Sequence, residues 1–176
     1  MKWLIASDLH GSVSCCQALL AAYEREEAEG LLLLGDILSP AMGRNRQTVA
    51  ELLNGVDGAV LAVRGNCDRS SDQELLDFSL QEDYITIPIA GGRTIFATHG
   101  HLYNSASLPP NMAPGDILLH GHTHVPQTSD YGAYLCFNPG SAAQPRWGSE
   151  RGYMTLEDTL FRWLTLDGEE YRTYEL

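Results

Sequence analysis

The sequence predicts one α/β domain over residues 1–176, and three observations lead to that prediction. Short apolar runs, each followed at once by a polar, glycine-containing segment, alternate with stretches in which apolar residues recur at helical spacing. After residue 141 the helical spacing stops, and apolar residues alternate around short turns, which is typical of a β meander. The length of 176 residues suits one hydrophobic core and is short for two.

The first half of the chain predicts three buried strands separated by helices. The run KWLIAS stops at a polar residue, as a buried strand does, and DLHGS follows as a loop. From Val13 to Glu29 apolar residues recur at helical spacing before Gly30, which we expect to end this helix. The segments LLLLGD and AVLAVRGNCD repeat the strand pattern, and a short helical stretch from Thr48 to Asn54 lies between them.

The second half predicts a hairpin, one further strand and the meander. YITIPI and RTIFATHG flank the turn residues AGG, so they predict a β hairpin. DILLHGHTH is one more apolar strand that leads into polar side chains. After FNPGS, the segments GYMTLE, LFRWLTL and EYRTYEL surround the turns DT and DG, and we expect them to complete a sheet.

Composition and charge argue against several classes of protein. The net charge of -12 and the pI of about 4.7 disfavour binding to polymeric nucleic acid, which requires a basic surface. No run approaches the roughly 18 apolar residues of a membrane span, and residues 1–11 become polar too early for a secretory signal. We therefore expect a cytoplasmic protein without a membrane partner. The four cysteines lack a CxxC pair, so we expect free thiols at Cys15, Cys16, Cys67 and Cys136.

Five of the predicted strands end in polar segments that carry ligand-type side chains. Because ligands gather at the carboxyl ends of strands in layered α/β folds, we expect SDLHG, GDI, GNCD, THGH and GHTH to converge. Together they offer seven oxygen or nitrogen ligands: Asp8, His10, Asp36, Asn66, His99, His122 and His124. Seven ligands exceed the needs of one ion and suit two that share a carboxylate. We expect two divalent metal ions, Mn²⁺ first, with Zn²⁺, Fe²⁺ or Ni²⁺ as alternatives.

These motifs, taken in order, resemble the five sequence blocks of the calcineurin-like metallophosphoesterases. The blocks are DLH at 8–10, GD at 35–36, GNCD at 65–68, HG at 99–100 and GHTH at 121–124. RGNCD, THGHL, LPP, GHTH and FNPGS resemble, more narrowly, the small bacterial YfcE-like phosphodiesterases. The resemblance covers residues 2 to about 145 and implies a four-layer α/β/β/α metallophosphoesterase sandwich.

The resemblance also implies a ligand assignment and a reaction. Asp8, His10 and His124 would hold one ion, Asn66, His99 and His122 would hold the other, and Asp36 would bridge them. The implied enzyme is a metal-dependent phosphoric diester hydrolase acting on a small phosphodiester, in which a metal-bridging hydroxide attacks phosphorus in line. Two such ions leave the site net positive, so that it attracts a phosphate monoanion to an otherwise negative protein.

The block GNCD supplies the catalytic candidates Asn66, Cys67 and Asp68. Many metallophosphoesterases have His where this chain has Cys67, and that His resembles a general acid for the leaving group. A thiol, with an ordinary pKa of about 8.5, is poorly matched to this task, although YfcE-like members share the cysteine. Asp68 has two interpretations, an orienting partner of a metal-bound imidazole or an exposed turn aspartate.

Several residues beside the motifs also have competing interpretations. His120 alternates with His122 and His124, yet it precedes GHTH where the family tends to have an apolar or aromatic residue, so we expect a packed strand residue. His101 either orients a substrate phosphate or supports a ligand. We expect NPGS, at 138–141, to form a tight turn under the site. Three arginines would either bind phosphate or form surface ion pairs: Arg64, Arg69 and Arg146.

Two alternative functions are weighed against hydrolysis of a diester. A non-catalytic scaffold, like the retromer subunit with this fold, would have a degraded metal site, whereas the ligand set here is complete. A phosphomonoesterase or protein phosphatase would be expected to have a full GNH block and long insertions. Substrate specificity would lie in the loops 37–47 and 103–115, which carry no readable motif. The natural substrate and the oligomeric state, including a homo-oligomer, stay open.

Overall fold

The computed structural model describes residues 1–38 and 43–176, and the eleven strands of this part of the chain form two sheets. The six-stranded sheet contains, from edge to edge, β11 (Glu170–Glu175), β10 (Leu160–Thr165), β9 (Gly152–Glu157), β1 (Lys2–Ala6), β2 (Gly30–Leu33) and β3 (Ala59–Ala62). The five-stranded sheet contains β4 (Tyr84–Pro88), β5 (Thr94–Thr98), β6 (Ile117–His120), β8 (Leu135–Pro139) and β7 (Pro126–Asp130). The α-helices are α1 (Val13–Arg25) and α2 (Arg44–Asn54), and short 3₁₀ helices cover Ser70–Leu75 and Ala90–Gly92.

Strand alternation divides the hydrophobic core into two clusters on opposite faces of the six-stranded sheet. Leu4 and Ala6 of β1 pack in the cluster that contains the apolar faces of α1 and α2, whereas Ile5 packs in the cluster between the sheets. Strand β2 repeats this alternation, with Leu32 on the inter-sheet side. Both faces of these parallel strands are therefore buried, which explains why their sequences are continuously apolar.

Aromatic rings of the meander join the two sheets. Phe137 of β8 contacts Phe161 and Trp163 of β10 edge to face, with ring centroids 4.9 and 5.4 Å apart. The indole Nε1 of Trp163 donates a hydrogen bond to the carbonyl of Asn138 over 2.8 Å. Strand β10 thereby contacts the end of β8, where the chain turns toward the polar edge of the sandwich.

The two-sheet arrangement confirms the predicted sandwich. Both α-helices that the structure describes cover the outer face of the six-stranded sheet. On the outer face of the five-stranded sheet, Tyr103 packs edge-on against Tyr84, which stacks on Phe96, so the segment 101–115 contributes to the outer layer there. Within the described ranges no helix combines the length and apolar character needed to cross a bilayer.

The hairpin β4–β5 and the meander β9–β11 are confirmed. The prediction that Gly30 ends the first helix is wrong. Helix α1 ends at Arg25, four residues before the predicted end at Glu29, and the left-handed backbone of Glu27 turns the chain away. Gly30 instead begins β2, where an added Cβ would lie 2.6 Å from the ring of Trp3. This glycine is therefore needed for close packing between strands and not for capping a helix.

The hairpin β7–β8 is an addition to the predicted elements. Strand β7 has the sequence PQTSD, which lacks the apolar alternation of a half-buried strand, and it lies at the edge of its sheet. Helix α2 also begins at Arg44, four residues before the predicted start. The first turn of α2 contains only polar residues, so the spacing of apolar residues does not indicate that the helix begins there.

The four cysteines are free thiols, as predicted. Cys15, Cys16 and Cys136 are buried, and burial raises the pKa of Cys16 and of Cys136 to about 12. Cys67 alone among the cysteines is partly exposed, and it lies at the site described next.

Candidate metal centre

All seven predicted ligands converge where β1, β2, β3, β5 and β6 end. Backbone hydrogen bonds tie these strand ends together: the N–H of Asp8 donates to the carbonyl of Gly35 over 3.1 Å, and that of His10 to Asp36 over 2.8 Å. In the other sheet the N–H of Gly121 donates to the carbonyl of His99 over 2.9 Å. The N–H of His122 donates to Oδ2 of Asp8 over 3.1 Å and joins the loops of the two sheets, so the ligand-bearing loops form one hydrogen-bonded unit.

The first group of predicted ligands consists of Asp8, His10 and His124, which lie close enough together to hold a metal ion. Nε2 of His124 lies 3.2 Å from Oδ1 of Asp8, and Nε2 of His10 lies 3.7 Å from the same oxygen. The two imidazole Nε2 atoms are 3.4 Å apart. Nδ1 of His124 donates to the carbonyl of Gln144 over 2.6 Å, which leaves the lone pair of Nε2 directed into the group.

The second group consists of Asn66, His99 and His122. Nε2 of His99 lies 3.1 Å from Oδ1 of Asn66 and 3.2 Å from Nδ1 of His122. Nδ1 of His99 donates to the carbonyl of Leu34 over 2.7 Å, so Nε2 again presents a lone pair. Three acceptor-type atoms thus face one another, which is the arrangement that a cation stabilises.

Asp36 lies between the two groups. Its Oδ2 is 3.5 Å from Nε2 of His99 in the second group and 3.7 Å from Nε2 of His10 in the first. Its Oδ1 accepts a hydrogen bond from the N–H of Cys67 over 2.8 Å. Gly65 permits this approach, because an added Cβ there would collide with the Asp36 carboxylate. The carboxylate therefore lies within 3.7 Å of imidazole nitrogens from both groups.

The electrostatics of the cluster favour bound cations. Oδ1 of Asp8 is buried and accepts no hydrogen bond from any described residue, which is costly for a carboxylate. Burial opposes ionisation of Asp8, yet the imidazoles of His10 and His124 hold its pKa below the ordinary value. Burial also opposes the protonated form of His99, but the adjacent Asp36 raises the pKa of that imidazole above its usual range. The cluster thus attracts positive charge, and its oxygen and nitrogen donors fit divalent metal ions.

Five of the seven ligands have a left-handed backbone. Their φ angles lie between 47° and 65°, a region that non-glycine residues rarely occupy and that costs about 1–2 kcal/mol per residue. They are Asp8, His10, Asp36, His122 and His124. The histidines of GHTH therefore reach the two groups through this turn geometry, after β6 has ended, and not through the alternation of an extended strand. Such strain concentrates at functional sites, where neighbouring structure enforces it.

Asp68 holds the loop that carries Asp36. Its Oδ2 accepts hydrogen bonds from the N–H groups of Asp36 and Gly65 over 2.7 and 2.8 Å, and its Oδ1 accepts from Ile37 over 2.8 Å. Burial raises the pKa of Asp68, and the nearby charge of Asp36 adds to this, while the three N–H groups act in the opposite direction. The sequence predicts that Asp68 orients an imidazole or lies exposed in a turn. Its carboxylate instead positions the backbone of the loop that carries Asp36.

Cys67 lies at the open side of the cluster. Its Sγ, Nε2 of His10 and an oxygen of Asp36 all lie within 4.8 Å of one another, so the thiol is a potential ligand that the predicted set omits. Burial, followed by the charge of Asp36, raises the pKa of Cys67 to about 11. Asn66 is exposed beside it, so this side of the cluster is accessible to a substrate.

NPGS begins as strand and not as the predicted tight turn, because Asn138 and Pro139 are the last residues of β8. This segment and His120 support the GHTH loop without joining the predicted ligands. Nδ2 of Asn138 donates to the carbonyl of Gly121 over 2.8 Å and to Oγ1 of Thr123 over 3.1 Å. Oγ of Ser141 donates to the carbonyl of Asp8 over 3.0 Å. His120 is buried, and its Nδ1 donates to the carbonyl of Gly121 over 3.0 Å, so the packed-residue interpretation is confirmed. The sequence FNPGS marks this segment, although it does not reveal these partners.

The remaining candidates are His101 and the three arginines, and they differ in whether they lie near the predicted ligands. Arg64 pairs with Asp83 over 2.8 Å, and Arg69 lines a surface cavity with Arg64 and Ser70, away from the ligands. The ring of His101 lies 5.4 Å from that of His99, and its buried Nδ1 has no hydrogen-bond partner among the described residues. Arg146 lines a cavity together with His122. Of the loop 37–47, predicted to affect specificity, residues 39–42 lie outside the described part of the chain.

Comparison with known proteins identifies the family. The model of the calcineurin-like phosphoesterase superfamily domain matches residues 1–159. The chain is 35% identical to the phosphodiesterase YfcE of Escherichia coli K12 over 96% of its own length and 94% of that protein. It is 29% identical to the probable metallophosphoesterase YsnB of Bacillus subtilis, with coverage of 90% and 86%.

Solved structures agree with this result. The structure of the E. coli phosphoesterase YfcE superposes with a TM-score of 0.90 and 33% identity over 99% of both chains. Vps29 from Entamoeba histolytica, crystallised with Zn²⁺, superposes with a TM-score of 0.68 and 23% identity over 99% of each chain, a likeness that concerns the fold alone. On the family match, the identity to YfcE and this superposition, the chain belongs to the calcineurin-like phosphoesterase superfamily.

Proposed function

We propose that this protein is a phosphodiesterase whose reaction depends on two divalent metal ions, with Mn²⁺ as the expected metal. The observation that carries the proposal is the Asp36 carboxylate, which lies within 3.7 Å of imidazole nitrogens from two ligand groups. The relatives add the substrate class, since the E. coli protein that is 35% identical is named a phosphodiesterase.

The assignment of residues to the two ions follows the grouping that the family resemblance implies, and the distances within each group support it. Asp8, His10 and His124 would hold one ion, Asn66, His99 and His122 the other, and Asp36 both. When bound, the two ions would supply a bridging hydroxide as nucleophile and positive charge for the oxygens of the transition state. The protein fixes its imidazole donors in advance, because the carbonyls of Leu34 and Gln144 accept from Nδ1 of His99 and His124.

The chain's own charge distribution directs the substrate. The protein has a net charge of -12, so its surface repels a phosphodiester except where bound cations reverse the local potential. Asn66 and Cys67 lie at the open side of the cluster, where they can contact the substrate oxygens. The complete and strained ligand set supports catalysis over a scaffold that has only retained the fold.

Removal of metal tests the proposal. We expect the purified protein to hydrolyse bis(p-nitrophenyl) phosphate, to lose this activity after chelation, and to regain it with Mn²⁺, because the predicted ligands are oxygen and nitrogen atoms. Elemental analysis should give two ions per chain after reconstitution. Hydrolysis that persists at its full rate in protein verified to be metal-free would refute the proposal. Activity on p-nitrophenyl phosphate alone would favour a phosphomonoesterase instead.

Cys67 permits a test of the leaving-group step. An imidazole is a better proton donor than a thiol near neutral pH, so Cys67→His should raise activity toward diesters with poor leaving groups, by up to about 10²-fold. Cys67→Ala should leave hydrolysis of the activated diester within about threefold of wild type, if the thiol donates no proton. The measurement is the dependence of rate on leaving-group pKa for the three proteins at equal metal content. Coincident slopes would show that this position takes no part in leaving-group departure.

A further inference from the structure

A cavity of about 520 Å³ lies directly beside the second ligand group. His122, a predicted ligand of the second group, is one of its lining residues, so the cavity borders the candidate metal centre. Val125 and Pro126 contribute apolar surface to the lining, and Arg146 and Trp147 line it as well. A substrate whose phosphate is bound by the second group would therefore have this space beside it.

Trp147 is the most unusual residue of the cavity. Its side chain is 93% exposed, although an indole gains more free energy from burial than almost any other side chain. Its φ of 54° lies in the left-handed region, where a bulky residue is a genuine outlier. A strained and exposed tryptophan is retained only at a cost in stability, which points to a function for the exposed ring.

The turn that presents Trp147 is fixed to a metal ligand. The N–H of Arg146 donates to the carbonyl of His124 over 3.1 Å. Ser149 closes the turn, because its N–H and its Oγ both donate to the carbonyl of Arg146, over 3.1 and 2.7 Å. The indole therefore has a defined position relative to the metal centre, although its ring is in solvent.

The cavity is also lined by a cationic side chain, that of Arg146, for which residues 1–38 and 43–176 offer no partner. The guanidinium of Arg146 forms no hydrogen bond or ion pair with any described residue, whereas Arg64 pairs with Asp83. A free guanidinium beside an anion-binding centre suits a phosphate or the face of a planar ring. The lining of the cavity thus combines an exposed flat ring, apolar side chains and a positive charge.

We propose that Trp147 stacks on a nucleobase, or an equivalent planar heteroaromatic ring, of a phosphodiester whose phosphate is bound at the metal centre. This inference rests on the proposed function, and it narrows the substrate class to nucleotide-containing diesters. An open cavity with one exposed indole suits a flat ring, which gains stacking on its face and leaves its edges hydrated. A flexible alkyl group would gain little there, because the indole covers it on one side only.

Calorimetric titration of the Mn²⁺-loaded protein tests the inference directly. The probes are adenosine 5′-monophosphate and ribose 5-phosphate, which share the phosphate monoester and differ by the base. We expect adenosine 5′-monophosphate to bind about tenfold more tightly, which corresponds to about 1.4 kcal/mol and lies within the range for stacking on an aromatic side chain. Trp147→Ala should abolish the difference, and Trp147→Tyr should keep most of it.

Tyr131→Ala is the matched control, because Tyr131 is 50% exposed and follows the opposite end of β7 from Pro126. It should preserve the tenfold preference. Equal affinity of the wild-type protein for the two probes overturns the inference, and so does an equal effect of Tyr131→Ala. A dimer that dissociates on Trp147→Ala, seen by light scattering, would also overturn it by assigning the ring to a subunit contact. Hydrolysis of bis(p-nitrophenyl) phosphate by the wild-type protein separates the two proposals. If one of these contrary results is found and the wild-type protein hydrolyses this diester, the stacking inference alone fails. If the wild-type protein does not hydrolyse it, the proposed function fails as well.

Discussion

Asp36→Asn is expected to lower hydrolysis of the activated diester on the order of 10³-fold and to weaken the binding of both metal ions. The carboxylate lies between His10 of the first ligand group and His99 of the second, so its charge acts on both positions. An amide of the same shape keeps the acceptor for the N–H of Cys67 but removes that charge. The expected loss follows because electrostatic stabilisation by metal ions is worth several kcal/mol in the transition state.

Two further variants make this result specific. His10→Ala should reduce the metal content mainly by one ion, since the described contacts place His10 near the first group and Asp36. Asp116→Asn is the matched control, because Asp116 is also a buried aspartate that accepts hydrogen bonds from backbone N–H groups, those of Thr94 and Ala113. It precedes β6, at the end of the strand remote from the predicted ligands, so this variant should retain both ions. The measurement is metal content against chelator concentration, together with kcat. Equal and mild losses in Asp36→Asn and His10→Ala would argue against a shared ligand.

Asp68→Ala is expected to destabilise the fold and to impair the metal centre at the same time. The substitution leaves three N–H groups without their acceptor, those of Asp36, Ile37 and Gly65. At about 1 kcal/mol for each group, the free energy of unfolding should fall by about 3 kcal/mol, or roughly 6–12 °C in Tm. Metal affinity should fall about 10–100-fold, as is typical when the support of a ligand is lost.

Asp116→Ala separates the two effects of Asp68→Ala. It removes the acceptor of two backbone N–H groups, so it should lower Tm by a comparable amount. It should leave metal affinity unchanged, since Thr94 begins β5 and Ala113 precedes β6, whereas the predicted ligands follow the other ends of these strands. Thermal unfolding of the metal-free proteins and competition with a metal-sensitive dye provide the two measurements. Matching metal affinities in the two alanine variants would show that Asp68 does not position the ligand loop.

The convergence of the seven predicted ligands could be predicted from the sequence, because each of them lies in the segment that follows a strand. A buried strand is visible as an apolar run, and parallel strands deliver the residues after them to one edge. Asp8, Asp36 and His99 illustrate this, since local sequence alone places each at such an end. The grouping of the ligands around two ions came from the family resemblance, and the observed distances are consistent with it.

The supporting contacts could not be predicted, because they join residues that are distant in the sequence. Asp68 accepts from Asp36, 32 residues away, and Ser141 donates to Asp8, 133 residues away. Neither residue lies in a pattern that distinguishes it from an ordinary turn residue. The exposure of Trp147 could not be predicted either, because an aromatic residue before a glycine does not differ in sequence from one packed inside a loop.

The hydrogen bond from Trp163 to Asn138 shows that the C-terminal strands support the candidate metal centre although they carry none of its predicted ligands. Every predicted ligand lies within the first 124 residues, and the family match ends at residue 159. A boundary drawn there would divide the six-stranded sheet between β9 and β10 and would discard the indole that contacts the carbonyl of Asn138. Circular permutants, chimaeras and split versions of this enzyme should therefore keep residues 160–176 with the rest, since ligand-bearing loops cut off from that strand would lose their scaffold.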